Sequence, residues 1–174
     1  MIPARSRGTG PPFRAGARTG VGAAFSLRRA LLRRAVLSGW AAWARGDLDL
    51  MLVRWAPDCQ LELLPELMAA GMRGIYHGHA GVRELAADWT DTWERMDLIP
   101  EEIVDARNPV IGLGHLRLRG RGSGVEFNSP IAFVWSFERG LVVRQRDFAD
   151  WDEALRGAGI PTASAGEPQR ATPI

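Results

Sequence analysis

The spacing of apolar residues changes along this sequence. It is mostly helical as far as Met96 and strand-like from Ile99 onward. Leu32, Val36, Trp40 and Trp43 lie four, four and three residues apart and predict a helix from about Ser26 to Arg45. Leu27, Leu31 and Ala35 broaden that stripe. Gly46 suits a left-handed cap, and Asp47 is placed to cap a short second helix whose apolar face is Leu48, Met51, Leu52 and Trp55. Pro57 ends it. Cys59 to Leu64 reads as a strand carrying Glu62, and Pro65 to Gly78 as a long loop with one short strand. A third helix starts near His79 or Ala80, with Val82, Leu85, Ala86, Trp89, Trp93 and Met96 on one face.

The second part holds four strand-like runs, Ile99 to Ala106, Val110 to Arg119, Val125 to Phe137 and Leu141 to Phe148. Short turns at Asn108-Pro109, Gly120 to Gly124 and Arg139-Gly140 join them, which predicts an antiparallel meander. Asp150 caps a last helical turn, Trp151 to Arg156. Helices followed by a meander define an α+β fold. The expectation is a curved, mostly antiparallel sheet with three helices packed on its concave side, forming a conical half-barrel. A sheet with helices on one side leaves its other face in need of a cover, so a homodimer through the sheet is expected.

A chain of 174 residues fits one domain. Residues 1–25 are rich in Arg, Gly and Pro without periodicity and read as a disordered tail, as do residues 161–174, which leaves 26–160 as the folded domain. The formal charge is +2, but the four arginines in residues 1–25 have no acid among them, so the remainder stands at −2. That argues against a nucleic-acid partner. Every basic residue is Arg, a pattern that a GC-rich coding bias accounts for. Cys59 is the single cysteine, so no intrachain disulfide or cysteine-based metal cluster forms. No apolar run is long enough to cross a bilayer, and a cytoplasmic, membrane-free location is expected.

The segment WAAWARGDLDLMLVRWAPDCQLEL, the helix entry IYHGHAGVREL and the terminal RGRGSGVEFNSPIAFVWSFERGLVVRQRDFADWDEALRGAGI together resemble the nuclear transport factor 2-like superfamily, and within it the SnoaL-like proteins, over roughly residues 28–160. The resemblance implies a cone whose mouth lies between the third helix and the concave sheet. It also implies functions ranging from isomerases, cyclases and epoxide hydrolases to simple binders. The ketosteroid-isomerase-like pattern wants carboxylates and a tyrosine where this chain has Leu63-Leu64, Gly39-Trp40 and Ala132-Phe133. No isomerase residue is carried over.

Four residues are candidates for acid–base work. Glu62 is the acid of the first strand, with a solvent-facing role as its alternative. His77 precedes the third helix beside Tyr76 and His79, where loop histidines are also commonly structural; a metal there would lack a third ligand. His115 shares a strand face with Ile111 and Leu113, and meets Asp147 or Gln145 only if that face is concave. Asp147 lies near the position where SnoaL-like cyclases keep an acid. Trp40, Trp43, Trp55, Tyr76, His79, Trp89, Trp93, Phe133 and Trp135 are candidates to line a ligand pocket, and seven tryptophans in one chain favour a flat, apolar ligand if several face a cavity. No cofactor is expected. Two readings stand: a small-molecule-binding protein acting by acid–base chemistry, of isomerase, cyclase or hydrolase type, on a polyketide- or steroid-like ligand; or a non-catalytic dimeric binding or scaffold module.

Overall fold

A computed structural model describes residues 19–162. Of the tails expected at 1–25 and 161–174, residues 1–18 and 163–174 lie outside the described residues, while residues 19–25 belong to the first helix instead of a disordered tail. Six strands form one sheet in the order β2-β1-β6-β5-β4-β3. The long members are β3 (Trp93–Asp105), β4 (Val110–Gly120), β5 (Glu126–Glu138) and β6 (Leu141–Phe148), paired as the antiparallel meander that their turns predict. At one edge β1 (Trp55–Glu62) runs parallel to β6, and β2 (Ile75–His77) pairs antiparallel with β1.

The sheet is curved and unclosed. Register shifts fall between Trp55 and Gln60, at two places in β3, and between Ser136 and Phe137. Each extra residue bends its strand and increases the local twist. Pro57, which lacks an N–H for the ladder, sits inside the β1 irregularity where its cost is lowest.

The helices α1 (Thr19–Ala44), α2 (Leu48–Leu52), α3 (Pro65–Ala69) and α4 (Gly78–Thr92) lie on the concave side, and α5 (Trp151–Gly157) packs on the convex side against β4, β5 and β6. α1 begins seven residues before Ser26; no proline stands between Thr19 and Ala44, and extending a formed helix is far easier than nucleating one. Asp47 caps α2 through Leu50 N at 3.2 Å, and Asp150 caps α5 through Glu153 N at 2.9 Å. Gly78, at φ 65°, opens α4 where a Cβ would stand 2.8 Å from the Pro57 carbonyl oxygen, so the tight entry needs glycine on both counts.

Three local expectations give way to tertiary pairing. Trp93 and Met96 belong to β3 rather than to the third helix, because Trp93 to Leu98 pairs with Leu116 to Gly120, with one register shift between Trp93 and Arg95. Trp55 starts β1 instead of ending α2, held opposite Val142. Pro65 to Gly78, expected as a long loop with one short strand, also contains the five-residue α3, begun by Pro65 at its first position.

Strand alternation builds two apolar clusters. The larger, on the concave side, gathers Leu61, Tyr76, Val82, Leu116, Ile131 and Trp135. The smaller, on the convex side, joins Ile111, Leu113 and Ala132 to Ala154 of α5.

Candidate functional site

The concave cluster is not filled. Between α1, α2, α4 and the sheet lies a hollow of about 560 Å³. α1 contributes Leu32, Val36, Trp40 and Trp43, α4 contributes Leu85 and Trp89, and the strands contribute Phe133, Trp135 and Phe137. Gly112 makes room for this wall: a Cβ there would come within 2.8–2.9 Å of the indoles of Trp135 and Trp40. Trp40 stands 5.5 Å from Phe133 and 5.9 Å from Trp135, centroid to centroid, while Phe133 and Trp135 stack at 5.7 Å and 10°. The three rings therefore support one another in tilted and stacked contacts of the favourable kind.

The β5–β6 register puts Phe133 opposite Asp147 and Trp135 opposite Gln145, all on the concave face. The Trp135 indole donates to Gln145 Oε1 at 2.7 Å, and Gln145 Nε2 donates to Asp147 Oδ1 at 2.8 Å. The first bond fixes which end of the amide is the donor, so the second is directed at the carboxyl. Asp147 is half-buried and belongs to the lining of the hollow. Burial pushes its pKa up from 3.8 to about 8; the Gln145 hydrogen bond opposes this, and the negative charge of Glu62 across the sheet adds to it. Among the described residues no arginine pairs with Asp147, because Arg144 and Arg146 project to the other face and hold Glu62 at 2.7 and 3.2 Å. A carboxyl of this kind is protonated at neutral pH and can donate a hydrogen bond or a proton.

The remaining sequence-derived candidates lie elsewhere. Glu62 is on the convex face in its arginine pairs. His77 is exposed, and His79 donates from Nε2 to the Trp55 carbonyl at 3.0 Å. His115 is on the convex face, 2.7 Å from Glu101 and 5.3 Å from the Trp151 ring. Tyr76 is buried against α4, where its hydroxyl donates to Asp88 at 2.7 Å and accepts from Arg73 N. Trp93 packs behind Trp89, at 6.4 Å, and is not part of the wall. Of the candidates, the hollow brings together Asp147 with Trp40, Trp43, Trp55, Trp89, Phe133 and Trp135. Gln145 is not among the sequence-derived site candidates, although its spacing of two from Asp147 puts both on one strand face. Among the described residues no three His, Cys, Asp or Glu side chains gather as a metal site, and no helix is long and apolar enough to cross a membrane.

A curved, unclosed sheet with helices over its hollow side is the cone architecture of nuclear transport factor 2-like proteins. The chain belongs to the SnoaL-like domain family, whose match covers residues 36–145. Among solved structures it is similar to an NTF2-like protein of unknown function from Burkholderia pseudomallei, at 27% identity over 71% of this chain and 94% of that one, with a TM-score of 0.61. It is also similar in fold to TerC, co-crystallised with polyporic acid (21% identity, 72% and 96% covered, TM-score 0.59). A third is a protein of ketosteroid isomerase-like fold from Catenulispora acidiphila in complex with trimethylamine (16% identity, 72% and 93% covered, TM-score 0.55). No curated protein matches the chain in sequence.

Proposed function

We propose that the hollow binds a flat, apolar small molecule of polyketide or steroid type, and that Asp147 acts on it as a proton donor and acceptor. One observation carries this reading: a carboxyl without a counter-ion among the described residues, aimed by Gln145 and set in the wall of an indole-lined hollow, where burial raises its pKa. A group whose pKa lies close to neutral gives and recovers a proton with little penalty in either direction. A single such group can protonate a ligand oxygen and be restored by a proton released from ligand carbon, which is the balance of an isomerisation or cyclisation. Hydrolysis needs a second group to activate water, and Glu62, His77 and His115 stand outside the wall. That two of the similar structures hold small molecules agrees with the reading without setting the ligand's identity.

The second reading, a non-catalytic binding module, is favoured by the same scarcity of titratable groups. Native mass spectrometry of gently purified protein separates neither alone, but with turnover it does. A co-purifying apolar molecule that is rearranged by the wild type and left intact by Asp147→Asn supports the enzyme. One bound equally and unchanged by both supports the binder. No bound molecule, and no quenching of tryptophan emission by polycyclic probes, would remove both. A homodimer through the convex face beyond α5, a cytoplasmic location and the absence of a nucleic-acid partner belong to the same proposal; sedimentation velocity at micromolar concentration decides the first.

A further inference from the structure

The mouth of the hollow carries charge that its apolar wall does not require. Arg54 follows α2, with its carbonyl accepting Val142 N at 2.8 Å, and Arg107 stands in the turn between β3 and β4 at φ 72°. Both are exposed and both belong to the lining of the hollow. Arg28, bound to Asp105 at 2.7 Å, donates from Nη2 to the Arg107 carbonyl at 3.3 Å, which fixes that turn against α1. Among the described residues neither Arg54 nor Arg107 forms a salt bridge, whereas Arg144 and Arg146 on the convex face share Glu62. Other arginines are also unpaired; these two differ in lining the cavity. The wall's one carboxyl is Asp147, at the far end of β6. From Leu141, beside the mouth, to Asp147 the strand spans roughly 20 Å. The hollow is therefore polarised along its length, with unpaired guanidinium groups at the entrance, aromatic rings between, and a hydrogen-bonding carboxyl within.

We propose that the hollow selects elongated apolar molecules bearing a carboxylate at one end, which Arg54 and Arg107 hold at the mouth while the apolar body lies among the indoles. This rests on the reading of the hollow as a small-molecule site. Guanidinium groups suit a carboxylate in charge and in fork geometry, and their value at a partly open mouth falls with ionic strength. The opposite end of the ligand is then the one presented to Asp147.

The test uses 1-pyrenebutyrate and its uncharged counterpart 1-pyrenebutanol, with quenching of tryptophan emission as the readout. The wild type is expected to bind the acid at least about tenfold more tightly than the alcohol at low salt, a preference that shrinks at high salt. The double variant Arg54→Gln, Arg107→Asn removes the preference and leaves affinity for the alcohol unchanged, and the retained alcohol binding reports that the variant is folded. Asparagine is chosen for position 107 because it tolerates positive φ. Equal affinity of the wild type for the two probes, or equal weakening of both in the variant, overturns the proposal while leaving the small-molecule reading intact. Failure of the wild type to bind either probe overturns that reading and this one together.

Discussion

The two faces of this sheet are made from the same strands, yet they treat charge in opposite ways. On the convex face Glu62 meets two arginines, His115 meets Glu101, and α5 packs on Ile111, Leu113 and Ala132. On the concave face one carboxyl sits without a counter-ion among rings, its charge suppressed instead of balanced. Alternation along a strand is enough to separate the two: Arg144, Gln145, Arg146 and Asp147 are consecutive, and successive side chains serve different faces. Paired surface charges are what solubility asks of any sheet. An acid set in an apolar wall without a counter-ion costs stability.

The sharpest way to break that contrast is to remove the ionisable group on the concave side. In the unfolded chain Asp147 releases its proton near 3.8 and in the folded chain near 8. Between those values the folded state binds one proton more, so stability falls as pH rises through this window. Asp147→Asn should match the wild type at the acid end and exceed it by on the order of 3 kcal/mol above pH 8, with the enclosed solvent of the hollow already allowed for. Urea denaturation across pH checks this; parallel wild-type and variant profiles would place Asp147 among ordinary surface acids.

Crowding the hollow tests whether its shape is rigid. Gly112→Leu forces the indoles of Trp40 and Trp135 apart and should cost about 2 kcal/mol in thermal or urea unfolding. Gly157→Ala, on the convex side with nothing within 4 Å of the added methyl, should be neutral or slightly stabilising. Trp135→Phe keeps the ring but strands Gln145 Oε1, an expected loss of about 1.5 kcal/mol, and frees the amide to turn away from Asp147. A small effect also belongs to the convex face: Glu62→Gln should change stability by less than about 1 kcal/mol, as exposed ion pairs do, while lowering the Asp147 pKa by removing a nearby negative charge. A carboxyl-resolved NMR titration reads that last shift directly.

Much of the fold was legible because the sequence separates its helical and strand periods and marks turns with Asn108-Pro109, Arg139-Gly140 and the glycines of 120–124. Boundaries were misplaced where the local pattern fits both periods. Trp93 and Met96 continue the stripe of α4 as well as they begin β3, and only the partner strand decides between them. The apolar wall was legible for a similar reason, since Trp40 with Trp43 on α1, and Leu85 with Trp89 on α4, stand at helical spacing and such stripes face inward. The polar side of the site was harder to read. Which face of β4 is concave depends on the turn of the whole sheet, so the sequence leaves the side of His115 open, and Gly112 and Leu116 on the inner side put it on the outer one. The sequence makes Tyr76 and His79 candidates for the pocket lining, but Asp88 and the Trp55 carbonyl, distant in sequence, hold their polar atoms. The mouth arginines were hidden among many others, because a coding bias towards Arg removes composition as a signal.

The parallel pairing of β1 with β6 has a consequence for how the molecule is assembled. Glu62 and Arg144 are separated by 82 positions, so the first strand made must wait for nearly the last before it has a neighbour on that side. Contacts this remote slow folding, because a long loop must close before they return any stabilisation. During synthesis the meander has to be present before the cup has a complete rim, and a chain ending short of Leu141 would emerge with its indoles uncovered and no inner acid at all.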